Sequence, residues 1–280
     1  MPTNKSQGRN TKIASKPEDA SGYAPVNGLD VYYELHGSGE PLVLLHGGVE
    51  GITMFGPVLP ALAAHRQVIA VELQGHGRTA DVDRPLTYEG MADDVAAVVE
   101  HLGVKRADVM GYSLGGGTAL QVAIRHPGLV RKLVIVAQPF RRDGWYPEVL
   151  AAMAQLGPAA SAGMAMSPLA KLYPKVDWAQ LFTKLGALLS TDYDWSREVA
   201  AISAPLLLVF ADADAVRPAH MLEFFGLFGG GARDAGVDGS ARPAAQLAVL
   251  PGLTHYSIGS APALAALVTP FLDAPLADPS

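Results

Sequence analysis

Short apolar runs recur along this chain, separated by longer stretches whose apolar residues return every three or four positions. Residues 41–46 (Pro-Leu-Val-Leu-Leu-His) form one such run, almost without a polar break, as expected of a strand buried on both faces. Similar runs at 68–72, 107–110, 133–137, 206–211 and 247–250 predict further buried strands. Residues 29–36 instead alternate apolar and polar, which predicts a half-buried antiparallel strand entered from a hairpin turn at Asn27-Gly28. Helical spacing predicts helices near 57–64, 88–102, 113–125, 219–228 and 261–272. Strands alternating with helices in this way make an α/β protein, with a mostly parallel central sheet flanked by helices.

Two regions break that rhythm. Residues 139–203 contain no strand-like run and carry scattered Pro, Trp, Tyr and Met, which predicts a helical cap inserted between two parts of a core, 22–138 and 204–280. Residues 229–240 are rich in glycine and read as a surface loop. The polar opening, 1–21, reads as a disordered leader.

Composition narrows the possible chemistry. The 280 residues are 49% hydrophobic with a net charge of −6, which argues against nucleic-acid or anionic-membrane partners. The absence of cysteine excludes disulfides, thiolate catalysis and thiolate metal sites. No apolar run reaches the roughly 18 residues needed to span a bilayer, and no secretory leader is evident, so a cytoplasmic location is expected. No His or carboxylate spacing matches a metal ligand set, and no G-x-x-x-x-G-K-[ST] or strand-linked G-x-G-x-x-G pattern is present, so neither a metal nor a cofactor is expected.

The strongest chemical signal is Gly111-Tyr112-Ser113-Leu114-Gly115, a G-x-S-x-G pentapeptide between an apolar strand and a helix. Such a turn strains the serine backbone, lifts its hydroxyl out of the sheet and sets it at a helix N-terminus. A serine hydroxyl needs a base within hydrogen-bond reach and a carboxylate to orient that base, both on loops at the carboxyl ends of strands. Among eight histidines, His255 meets the test, in the loop after the last predicted strand. His46 also follows a strand, but within a His-Gly-Gly turn whose better use is its backbone; for His36, His65, His76, His101, His126 and His220 a surface or capping position is expected. Asp212 and Asp214 both sit at the mouth of the 206–211 strand, with Glu72 as a fallback carboxylate whose better use is structural.

The order Ser…Asp…His, with these motifs, resembles the α/β-hydrolase superfamily, particularly bacterial serine esterases, lactonases and cofactor-free haloperoxidase-like hydrolases. The resemblance runs from about Gly22 to Pro275. It rests on Leu45-His46-Gly47-Gly48, Glu72-Leu-Gln-Gly75-His76-Gly77-Arg-Thr79, Gly111–Gly116, Ala211-Asp-Ala-Asp214-Ala-Val-Arg-Pro218 and Gly252-Leu-Thr-His255. It implies the α/β-hydrolase fold, Ser113 as nucleophile, His255 as base and Asp214, rather than Asp212, as the orienting acid. It further implies an oxyanion hole from the N–H groups of Gly48 and Leu114. The family usually has Asp and Arg at Glu72 and Gln74, and Gly at Ala211; these are scaffold positions and leave the triad intact.

The expected activity is hydrolysis of a carboxylic ester or related acyl bond through an acyl-enzyme, on a small-molecule ester or lactone. Enol-lactone or C–C bond hydrolysis by the same triad, perhydrolysis, and a ligand-binding receptor on this scaffold stand as alternatives. Epoxide hydrolases and dehalogenases need a carboxylate where Ser113 stands. Within the cap, Trp145, Tyr146, Met164 and Met166 are expected to line an apolar substrate pocket, together with Leu169, Trp178 and Phe182.

Overall fold

In the computed structural model, which describes residues 20–243 and 245–276, the apolar runs form eight strands of one sheet. These are β1 (Ala20–Val26), β2 (Leu29–His36), β3 (Pro41–Leu45), β4 (Gln67–Val71), β5 (Ala107–Tyr112), β6 (Val130–Val136), β7 (Leu206–Ala213) and β8 (Ala245–Thr254). Their spatial order is β1-β2-β4-β3-β5-β6-β7-β8. β2 pairs antiparallel with β1 and β4, and every pairing from β4 to β8 is parallel. The hairpin turn falls at Asn27-Gly28, both with positive φ. Strand β1 begins at Ala20, so the last two residues of the expected leader belong to the sheet; the rest of that segment lies outside the described residues.

Helices α1 (Val58–Ala63), α2 (Tyr88–His101) and α3 (Leu114–Arg125) connect the first half of the sheet. Between β6 and β7 lie α4 (Pro147–Met153), α5 (Pro168–Leu172), α6 (Trp178–Ser190) and α7 (Ser196–Ala200), with 3-10 turns at Arg142–Gly144 and Ala160–Met166. This segment adds no strand to the sheet; isolated bridges join Arg141 to Asp194 and Trp145 to Val216. Helices α8 (Pro218–Gly226), α9 (His255–Ile258) and α10 (Pro262–Asp273) complete the chain.

Residues in β3, β5, β6 and β7 are buried almost throughout because apolar cores cover both faces of the sheet. One core gathers Val43, Val109 and Ile135 with α2 and α3. The other gathers Leu44, Val68 and Val134 with α1 and α10, including Leu62, Val268 and Phe271. Two buried charges with defined partners lie on the face of the sheet covered by α1 and α10. Asp108, fully buried on β5, accepts from Arg66 Nη1 at 3.0 Å and from Arg131 Nε and Nη2 at 2.8 Å. Lys132 sends its buried ammonium to the carbonyls of Phe271 (2.9 Å) and Leu272 (2.7 Å) and to that of Ala274, fastening the end of α10 beneath β6. Among the described residues no helix is long and apolar enough to cross a membrane.

Candidate active site

Strand β5 lies at the centre of the sheet, between β3 and β6, and ends in Tyr112. The chain then turns at once into α3, which forces Ser113 to φ 51 and ψ −119, a left-handed conformation rare for a side-chain-bearing residue. Two close approaches explain the flanking glycines. A Cβ on Gly111 would lie 2.0 Å from the Gly115 carbonyl oxygen, and one on Gly115 would lie 2.4 Å from the oxygen of Leu45. The serine hydroxyl therefore emerges above the sheet, at the start of a helix whose first N–H groups have no partners within it.

Three separate segments meet there. Ser113 Oγ donates to His255 Nε2 at 3.1 Å, and His255 Nδ1 donates to Asp214 Oδ1 at 3.0 Å. Asp214, 9% exposed, is itself held by the Ala211 N–H on Oδ2 (2.9 Å) and the Val216 N–H on Oδ1 (3.2 Å). His255 opens α9, its carbonyl accepting from the Tyr112 hydroxyl at 2.7 Å and its ring edge-on to Trp145 at 5.4 Å. Asp212 points elsewhere and accepts from the N–H groups of Gly252 (3.0 Å) and Leu253 (3.2 Å), bracing the end of β8. Glu72 is buried and engaged by the Arg78 guanidinium at 2.9 Å and the Ile52 N–H at 3.4 Å, away from the imidazole.

Gly48 reaches the same cavity as Ser113, and a Cβ on it would sit 3.9 Å from Leu114 Cβ, so the two backbone segments are neighbours. The turn carrying Gly48 is pinned by His46. Its Nδ1 donates to the Gly47 carbonyl at 2.7 Å, and its Nε2 accepts from the Leu73 N–H at 3.0 Å. The second bond requires a neutral ring, and complete burial lowers its pKa to about 3. The sequence treated this turn as a backbone device; the imidazole that fixes it is a further part of the site. His76 packs beside His46 at 5.2 Å and is likewise fully buried, and His220 is 1% exposed. The surface or capping position expected for these two is therefore corrected. Both fill core positions.

Ser113 and His255 open into a cavity of about 440 Å³. Its walls are mainly apolar: Val149, Met153 and Leu156 come from α4 and the turn after it, and Leu185 and Leu189 from α6. Trp145 and Leu169 line it, whereas Tyr146, Met164, Met166, Trp178 and Phe182 lie outside its walls. Met166 is 84% exposed because its 3-10 turn carries it outward. Among the described residues no group of three His, Cys, Asp or Glu side chains could hold a metal ion. A serine within reach of an imidazole, which is backed by a carboxylate held by two N–H groups, can act as a nucleophile towards a carbonyl in this cavity.

Known proteins share this architecture. The family model for the alpha/beta hydrolase fold matches residues 40–176. The provisionally named carbamate hydrolase RutD of Azorhizobium caulinodans is 38% identical over 123 residues, 44% of this chain and 46% of that protein. The soluble epoxide hydrolase of a Corynebacterium species is 40% identical over 116 residues, 40% of each chain. The matched segments thus span less than half the length of these curated relatives. Among solved structures, a thermophilic esterase from Thermogutta terrifontis superposes with a TM-score of 0.67 at 20% identity, covering 91% of this chain and 98% of that one. With the strand order, the elbow at Ser113 and these matches, the chain has the α/β-hydrolase fold.

Proposed function

We propose that the protein is a serine hydrolase of carboxylic esters, with Ser113 as nucleophile. The observation that carries this reading is the hydrogen-bonded chain from Ser113 through His255 to Asp214 at the floor of an apolar cavity. Ser113 Oγ attacks the ester carbonyl while His255 Nε2 takes its proton and then returns it to the leaving alcohol. Asp214 keeps the Nδ1 proton in place and stabilises the imidazolium. The N–H groups of Gly48 and Leu114 receive the tetrahedral oxyanion; such donors contribute about 3 kcal/mol each. Water, activated by the same imidazole, then releases the acid. In this reading the helices between β6 and β7 form the cap that covers the site.

Ser113 also separates this reading from epoxide opening, which needs a carboxylate on the elbow. The test is hydrolysis of p-nitrophenyl esters from acetate to long acyl chains, with Ser113→Ala as control. Activity that disappears in the folded variant supports the assignment, and activity that persists overturns it. A folded wild type that neither cleaves any of these esters nor is labelled at Ser113 by a fluorophosphonate would point to a binding protein on this scaffold.

A further inference from the structure

Glu50 stands out within the cavity. Among the described residues that line it, Glu50 is the only carboxylate, and there is neither lysine nor arginine. Its neighbours there are largely aliphatic, and the other polar groups are Ser113, His255 and two tyrosines. Glu50 is partly buried and makes no hydrogen bond or ion pair with any described residue. It follows Val49, whose φ of 69 is unusual for a β-branched residue, and its Oε2 comes within 3.4 Å of the position a Cβ would occupy on Gly47. The carboxylate therefore folds back over the turn that carries Gly48, towards the reacting centre. Burial raises its pKa and the neighbouring His255 lowers it, so its field reaches the imidazole. An acid without a partner in an apolar chamber costs stability, and strain beside such a site points to a use for it.

We propose that Glu50 sets the charge specificity of the cavity: the site accepts neutral esters, favours those with an ammonium group a few bonds from the scissile carbonyl, and rejects those with a carboxylate there. The proposal rests on the serine-esterase reading and refines its substrate class. An anionic ester would meet Glu50 with no cation to offset it, whereas a cationic one would gain its missing partner. Unit charges about 6 Å apart at an effective dielectric near 40 change a rate constant by about tenfold.

The test compares p-nitrophenyl butyrate, p-nitrophenyl hemisuccinate and p-nitrophenyl 4-(trimethylammonio)butyrate, which are similar in size and differ in charge. Acetates of 3,3-dimethylbutanol and choline probe the alcohol side. Each is assayed near pH 8 with the wild type, Glu50→Gln and Glu50→Lys. The expected result is a kcat/KM for the hemisuccinate at least tenfold below that for the butyrate, with a cationic ester ahead of its neutral partner on at least one side. These ratios should collapse to within about threefold in Glu50→Gln and invert in Glu50→Lys. Because each ratio is taken within one enzyme, a general loss of activity in a variant does not affect it. Equal rates for the butyrate and the hemisuccinate in the wild type, or a preference that survives Glu50→Gln, would overturn the proposal. Failure to cleave any ester, neutral ones included, would instead refute the esterase reading and the charge assignment with it.

Discussion

His220 offers a direct test of how burial controls the acid stability of this protein. It lies on α8 with 1% of its surface exposed and its ring stacked on Phe140, centroids 4.3 Å apart. Neither ring nitrogen has a hydrogen-bond partner, and the Glu223 carboxylate stays 3.6 Å from Nδ1. Burial therefore lowers its pKa from 6.5 to about 4. Below about pH 6.5 the unfolded chain takes up a proton that the folded chain refuses. Stability is thus complete above 6.5 and falls as the pH drops towards 4. At about 1.36 kcal/mol per pH unit, His220 costs about 2 kcal/mol between pH 8 and pH 5. The assay is urea unfolding of the wild type and His220→Leu at both pH values. The variant should lose about 2 kcal/mol less stability than the wild type on acidification, whatever its stability at pH 8. Equal losses would show that His220 titrates normally in the folded protein. His46 and His76, lowered to about 3 and about 4 by burial, act in the same direction over the same window, so they add to the loss of stability in acid.

Three further substitutions test other parts of the structure. Gly115→Ala places a Cβ against two backbone oxygens, of Leu45 and His46, that cannot easily yield; thermal unfolding should show a loss of roughly 3 kcal/mol or more. Asp108→Ala leaves Arg66, 2% exposed, without its fully buried carboxylate partner; chemical denaturation should register about 3–5 kcal/mol of destabilisation, and a change below 1 kcal/mol would contradict the ion-pair account. Met153→Ala removes three heavy atoms from the cavity wall, so the longest p-nitrophenyl ester cleaved well should grow by about two carbons, and an unchanged chain-length profile would exclude Met153 from the acyl pocket.

Buried parallel strands write themselves plainly into a sequence. β3 and the second half of β6, residues 133–136, are unbroken apolar runs because helices cover both faces, and the elbow at Ser113 needs glycines that leave a recognisable spacing. His255 was legible for a related reason, since it follows a strand end that had to lie beside the elbow, whereas Asp212 and Asp214 share the mouth of β7 and only the resemblance favoured Asp214. The cavity wall was less so. Val149 and Met153 face inward while Met166 faces outward, yet all three are apolar residues in a strand-free segment. Only the rotation of each short helix against the sheet separates them, and that is set by contacts far away in sequence. Glu50 escaped notice because a carboxylate in a glycine-rich turn looks solvated until the walls around it are known.

The lower face of the sheet has a consequence for the birth of the molecule. Leu44, Val68 and Val134 are covered by α10 as well as α1, and Lys132 grips the last turn of α10. A growing chain that has emerged only as far as residue 254 already holds every strand but lacks α10, one of the two helices that cover this side of the sheet. Until residues 262–273 leave the ribosome, that surface is open to chaperones, to neighbouring nascent chains and to its own wrong pairings. His255 also arrives in this final stretch, so restored turnover would report closure of the whole molecule more faithfully than recovery of helical signal.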